Sequence, residues 1–358
     1  MESESENLFG NRLKMARKMA GMSLQDLANA LNGAVTKQAL NKYEMGQMRP
    51  NAEVLSLLSR ILNVKQDYLL RRGQTEFGEL SFRKKADLSK KDEDAALEKA
   101  RDYVERFLEI ENILDLEREF QNPLDGLLIS NKNDVEAAAI QLRRAWELGT
   151  SPIPNLIEML ELKGVKVVLI NHADSLDGFA GYTSGRIPVV VINASNKPIE
   201  RLRFTVIHEL AHILLKFSDH VKADQKLLET LCHFFASCFL VPTDVLLKLI
   251  GGSKRTYIAI KELIEIKEYC GISLRALVHR LKELEIISEI YYQKWLVYLS
   301  KTYGGKDEPG NYKGAENPRI FGQLVTRALS EGAISMSKAA ALCNTNINNV
   351  RKGLISVN

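Results

Sequence analysis

At 358 residues, with 45% hydrophobic and 26% charged side chains, the chain is long enough for two or three domains with cores of ordinary size. It holds no run of about 18 uninterrupted apolar residues, and its acidic start, MESESENLFG, lacks the basic-then-apolar order of a secretory leader, so neither a membrane span nor export is expected. The four cysteines (Cys232, Cys238, Cys270, Cys343) form no C-x-x-C pair, which argues against a disulfide scaffold or zinc ribbon and for a reducing, cytoplasmic setting.

Residues 8–70 alternate short amphipathic runs with turn signals, spaced for four or five short helices. Ser23 is placed to cap SLQDLANAL (23–31), whose Leu24, Leu27, Ala28 and Leu31 form an apolar stripe. Gly33 permits a sharp turn. Thr36 then caps TKQALNKYEMG, with Leu40 and Tyr43 facing inward. That leaves Thr36, Lys37, Gln38, Asn41 and Lys42 exposed near the start of the second helix, where a recognition helix meets base edges and phosphates. Gln and Asn can pair with adenine, and Lys reaches guanine or phosphate. Charge agrees: residues 8–72 carry 11 Lys or Arg against four acids, a net +7 in a chain whose total is +4. A solvated bundle used only for protein contact is the competing reading. Over its whole length this stretch resembles the phage-repressor (Xre/Cro) helix-turn-helix family. The resemblance implies a DNA-binding domain over 1–72 that reads a double-stranded operator, as a homodimer.

Residues 71–94 (RRGQTEFGELSFRKKADLSKKDED) are dense in charge and are expected to form a flexible joint. From 95 to 119 the chain has no Gly or Pro, and Ala96, Ala100, Tyr103, Phe107, Ile110 and Leu114 recur at helical spacing. Residues 73–121 thus read as a charged linker and a connecting or dimerising helix. A domain over 122–290 follows. Helices are expected near 133–148 and 155–163, then strands at 165–171, 179–184 and 187–194, with Ser184-Gly185 as a hairpin turn. A helix begins near Pro198–Ile199, another spans about 225–240 up to Pro242, and 257–288 is again helical.

The segment RFTVIHELAHILLKF (203–217) is apolar on most sides yet carries His208, Glu209 and His212. Burying imidazole or carboxylate without a partner costs on the order of 1–3 kcal/mol per group or more, and one shared ion would satisfy all three. H-E-x-x-H sets two imidazoles on one helix face. Neutral imidazole suits Zn²⁺, which in catalytic sites takes three protein ligands and keeps one position open. Glu209 is placed as the catalytic base, accepting a proton from an activated water and carrying it toward the leaving amine. Two core histidines with separate partners would be the bland alternative.

A third ligand is expected in LLETLCHFFASCFLVP (227–242), where Glu229 and His233 stand four apart. Glu229, 17 positions past His212, would complete a His₂Glu set, with His233 orienting a ligand from behind. His233 could also be the ligand itself. Asp219, His220 and Asp224 lie between and are expected to be solvated. Strands just before such a helix commonly offer an edge to an extended peptide. Residues 178–194 are expected to play that part, with Gly178 and Gly181 either permitting close backbone approach or shaping a turn. Arg201 and Arg203 read as either functional or structural.

The run ERLRFTVIHELAHILL followed by E-x-x-C-H-F-F-A-S-C-F-L-V-P resembles the ImmA/IrrE-type metallopeptidases. IPNLIEMLELKGVKVV, GFAGYTSGRIPVVVIN and GISLRALVHRLKELEII fit the same pattern. The resemblance implies a zincin-like domain with one zinc per chain, Glu229 as the third ligand, and site-specific cleavage of a regulatory protein, a repressor or antitoxin.

Residues 291–358 form a helical C-terminal region. ISMSKAAALCNTNINNVRKGLI (334–355) looks like a further helix–turn–helix, expected to be a packing or substrate-docking unit, with a second DNA reader as the alternative. The whole is a mainly α chain with a small β-sheet (α+β). Its expected function is transcriptional regulation with zinc endopeptidase activity; the rival is a repressor or antitoxin that uses a peptidase-like domain only for sensing or protein interaction.

Overall fold

The computed structural model describes residues 7–71, 77–84, 89–116, 120–171, 176–183, 187–304 and 308–355. Five short helices open the chain: α1 (Leu8–Met19), α2 (Leu24–Ala30), α3 (Lys37–Glu44), α4 (Ala52–Ile61) and α5 (Gln66–Leu70). Their limits follow local chemistry. Ser23 Oγ accepts from Asp26 N at 3.1 Å while the Asp26 carboxylate accepts from Ser23 N at 2.8 Å, a reciprocal cap. Thr36 and Asn51 cap α3 and α4 with a single bond each, accepting from Ala39 N and Val54 N. Leu13, Ala16, Leu27, Leu40 and Leu58 fill the core between them. Arg17 grips Glu44 through two bonds of 2.6 and 2.9 Å, which fixes the end of α3 to α1.

Next in the chain comes a strand, β1 (Phe77–Lys84), and then the 24-residue α6 (Lys90–Ile113). The flexible joint expected over 71–94 therefore contains an extended segment paired within the sheet. Helix α6 packs on three partners. Arg12 of α1 is ion-paired with its Glu105, and Ala96, Ala100 and Val104 share a core with Val168, Phe179, Val189 and Val191. Phe107 and Ile110 meet Phe321, Leu324 and Val325 near the C-terminus.

The central region runs β2 (Leu128–Ile129), α7 (Lys132–Ala145), α8 (Leu156–Leu162), β3 (Lys166–Ile170), β4 (Leu176–Thr183), β5 (Pro188–Asn193), α9 (Ile199–Leu214), β6 (Lys216–Phe217), α10 (Asp219–Ala223), α11 (Gln225–Leu240), α12 (Thr243–Ile250), α13 (Ile260–Cys270) and α14 (Leu274–Glu283). The main sheet has the order β1-β4-β5-β3. Strand β4 is antiparallel to both neighbours, and β5 and β3 are parallel. This corrects one expectation: 178–194 offers no open edge, because β5 lies inside the sheet and β1 covers the outer side of β4. The hairpin turn at Ser184-Gly185 lies outside the described residues. The short β2 and β6 pair parallel as a separate ribbon.

The helix expected over 257–288 is broken. Gly271, with φ +67°, ends α13, and a Cβ there would stand 2.6 Å from Arg203 Nε and 2.9 Å from the Tyr312 ring. The break admits the buried Arg203, which donates to Gly271 O at 3.1 Å and Ile153 O at 2.9 Å, pairs with Glu316, and stacks on Tyr312. The chain closes with α15 (Glu289–Tyr303), α16 (Ile320–Ser330), α17 (Met336–Leu342) and α18 (Ile347–Ile355). Among the described residues no single helix is long and apolar enough to cross a membrane.

Candidate metal centre and nucleic-acid interface

Helix α9 is buried on most of its surface because Val206, Ile207, Leu210, Ala211 and Leu214 face the sheet and neighbouring helices. His208 and Glu209 are fully buried within this apolar setting. Helix α11 starts where Asp224 accepts from Leu227 N at 3.0 Å, and it packs along α9 and α7. Its first turns bring Glu229 over the two histidines.

The result is a tight cluster. His208 Nε2 lies 3.1 Å from His212 Nε2. The Glu229 carboxylate is 3.2 Å from His208 Nε2 and 3.5 Å from His212 Nε2. Four ligands placed tetrahedrally at zinc–nitrogen and zinc–oxygen bond lengths stand about 3.4 Å apart. The two histidine nitrogens lie near that spacing from each other, and each lies near it from a different Glu229 oxygen, Oε2 for His208 and Oε1 for His212; a 28% exposed Glu229 side chain leaves the cluster open on one side. Gln225 donates to Glu229 Oε1 at 3.2 Å and so steadies the carboxylate.

His233 sits one turn further along α11. Its ring centre is 4.2 Å from that of His208 and 5.7 Å from that of Phe204. A His233 nitrogen, a His208 nitrogen and a Glu229 oxygen also lie within 4.8 Å of one another and could hold an ion. The geometry thus offers two trios, His208 and Glu229 with either His212 or His233, and the His233 ring packs against that of His208. Cys232, which the motif reading passes over, places its sulfur 3.7 Å from His212 Nδ1. Of the intervening residues, Asp224 is the α11 cap, while His220 is exposed and bonds near Ser130 O at 3.1 Å.

Strand β4 forms the wall beside α9. Tyr182 donates to Ile213 O at 2.7 Å. At Gly178 an added Cβ would lie 2.8 Å from Val191 O, 2.9 Å from Ile192 Cδ1 and 3.2 Å from Glu209 Cγ. Close approach, rather than a turn, is thus what Gly178 supplies. Arg201 is half exposed and reaches Asp177 at 3.3 Å, beside Lys197 at 2.8 Å, whereas the buried Arg203 is held by contacts at the Gly271 break.

In the N-terminal helices, α3 presents Thr36, Lys37, Gln38, Asn41 and Lys42, all exposed, while Leu40 and Tyr43 are buried. Gly33, at φ +83°, turns the chain between α2 and α3. Gly10 matters too, and its role was not legible in the sequence. A Cβ on it would meet Tyr43 O and Glu44 O, so glycine lets α1 lie against the end of α3.

A helix-turn-helix family model matches residues 13–69, and an IrrE N-terminal-like domain model matches residues 160–282. The chain is 33% identical over 94 residues to the HTH-type transcriptional regulator ImmR of Bacillus subtilis, covering 26% of this chain and 68% of that protein. This chain belongs to the helix-turn-helix transcriptional regulators. The regulator is also 40% identical over 70 residues to the SPbeta prophage-derived HTH-type transcriptional regulator YonR of Bacillus subtilis, covering 20% of this chain and 63% of that protein. It is 29% identical over 113 residues to the radiation response metalloprotease IrrE of Deinococcus radiodurans, covering 29% of this chain and 33% of that protein. The regulator thus spans less than two thirds of YonR and about a third of IrrE.

Proposed function

We propose that this regulator binds an operator through α3, as a homodimer, and is also a zinc-dependent, site-specific endopeptidase that cleaves a partner repressor or antitoxin to switch transcription. The observation that carries the enzymatic half is the 3.1–3.5 Å spacing of His208 Nε2, His212 Nε2 and the Glu229 carboxylate, with Glu209 buried one residue away. In this reading His208, His212 and Glu229 hold one zinc ion. When bound, the metal supplies Lewis acidity toward a water molecule and a peptide carbonyl. Glu209 takes the proton of the attacking water and passes it to the departing amine nitrogen. The apolar residues around α9 keep bulk water from that carboxylate and strengthen its interactions. Cys232 orients the His212 ring from behind.

Elemental analysis of the purified protein beside its His208→Ala and Glu229→Ala variants tests the metal centre. We expect about one zinc per chain in the parent and loss in both variants. Glu209→Gln should keep the metal and abolish cleavage of the partner. No zinc in the parent after zinc is supplied would reduce the central domain to a sensing or protein-interaction module.

A further inference from the structure

The outer edge of β4 borders the metal centre. Gly178 lies against Glu209 and the Tyr182 hydroxyl bonds to Ile213 O. The stretch from Gly178 to Tyr182 therefore runs beside the same turns of α9 that carry the H-E-x-x-H residues. Along this edge lies the regulator's own β1, antiparallel, with Leu80 opposite Gly181, Ser81 opposite Ala180, Phe82 opposite Phe179 and Arg83 opposite Gly178. Pairing to a sheet edge uses main-chain bonds that any extended polypeptide can make. A peptide arriving at this edge would need the position that β1 holds. The far edge of the sheet, β3, packs with α6 and α8.

The pairing is also weak in form. Its register shifts between Phe77 and Leu80 and again between Arg83 and Lys84, which confines regular pairing to residues 80–83. A short edge strand with irregular ends gives up few ladder bonds when it leaves.

We infer that β1 is a resident peptide in the substrate position of the metallopeptidase domain, so that the full-length regulator keeps its cleft closed with its own interdomain segment and admits an extended substrate by strand exchange. Blockage of catalysis rests on the endopeptidase reading above; occupancy of the edge does not, and binding measures it directly. The segment lies in the chain between the N-terminal helices and α6.

The test uses a fluorescein-labelled octapeptide with the sequence of residues 77–84, added to the full-length, zinc-supplied protein in a Glu209→Gln background so that the probe stays intact. The double variant Ser81→Pro/Phe82→Pro frees the edge. Successive residues of a strand alternate in the direction of their N–H groups, so one of the two lost donors faces β4 in either phase. Fluorescence anisotropy should show at least tenfold tighter peptide binding by the proline variant than by its parent. A second variant, with 77–84 replaced by Gly-Ser repeats, should behave alike and guards against misfolding caused by proline. Equal binding by parent and both variants, or no binding by variants with parental circular dichroism, overturns the inference. A zinc-dependent cut within 77–84 of the chain carrying Glu209, absent in Glu209→Gln, also overturns it by making β1 a substrate. Octapeptide binding by the Glu209→Gln variants, with no cleavage of a partner by the same β1 variants carrying Glu209, would uphold the occupied edge and count against the endopeptidase.

Discussion

At Gly178 a single methyl group would disturb the wall of the metal centre. The added carbon would stand 2.8 Å from a main-chain oxygen of β5, which cannot move alone, and 3.2 Å from Glu209 Cγ. Gly178→Ala should therefore cost about 1–3 kcal/mol of stability. On the proposed reading it should retain zinc but lower cleavage, because Glu209 shifts while His208, His212 and Glu229, on other surfaces of α9 and α11, do not. Denaturant unfolding together with elemental analysis checks this, and parental stability would show that β4 relaxes freely. On α3 the exposed residues do not support the fold, so Lys37→Ala with Asn41→Ala should leave melting unchanged and weaken operator binding at least tenfold. A base contact is worth about 1–3 kcal/mol, and a lost phosphate contact lowers the salt slope by about one. Unchanged affinity and salt slope in anisotropy titrations would place the DNA face elsewhere.

At the scale of elements, α16 docks on α8 through a buried acid. Glu161 is fully buried and accepts from Ile320 N at 3.3 Å; burial pushes its carboxyl from the usual 4.5 up to about 7. Between those two values the folded chain holds a proton that the unfolded chain has lost. Stability is therefore greatest at the acid end of this window and falls as pH rises through it. The loss is on the order of 1–3 kcal/mol. Glu161→Gln keeps an acceptor but does not titrate, so it should flatten the difference in unfolding free energy between about pH 5 and about pH 7.5. An unaltered pH dependence in the variant would assign that dependence to other groups.

At the scale of the whole molecule, α6 holds the N-terminal helices and the peptidase region together. Arg12 and Glu105 are both almost wholly buried in their contact, and Arg71 stands 3.4 Å from Asp102 and 3.8 Å from Glu105. Removing one member of such a pair leaves the other charge buried, at a cost of roughly 3–5 kcal/mol, whereas replacing both by apolar residues is often neutral. Arg12→Ala should thus loosen the N-terminal domain from α6 and split urea unfolding into two transitions. Arg12→Met with Glu105→Met should restore one. A single transition at the parental midpoint in Arg12→Ala would show that apolar packing alone joins the two regions.

What the amino-acid order determined by itself is the part governed by neighbours within a turn or two. Caps at Ser23, Thr36 and Asp224 set helix starts through bonds to residues three places on, and i,i+4 spacing set His208 beside His212. The exposed row of α3 followed from the same periodicity. Three features needed the folded chain. Glu229 and His233 have equivalent spacing, and only the packing of α11 on α9 brings the Glu229 carboxylate within 3.5 Å of both histidine nitrogens. At Gly271 the Arg203 guanidinium, distant in sequence, occupies the space that a Cβ would need. Finally, FGELSFRK has the charge and glycine of a linker, yet it is a strand. Its extended form comes from the edge of β4, about a hundred positions later in the chain, since a strand takes its hydrogen bonds from a partner and a helix takes them from itself.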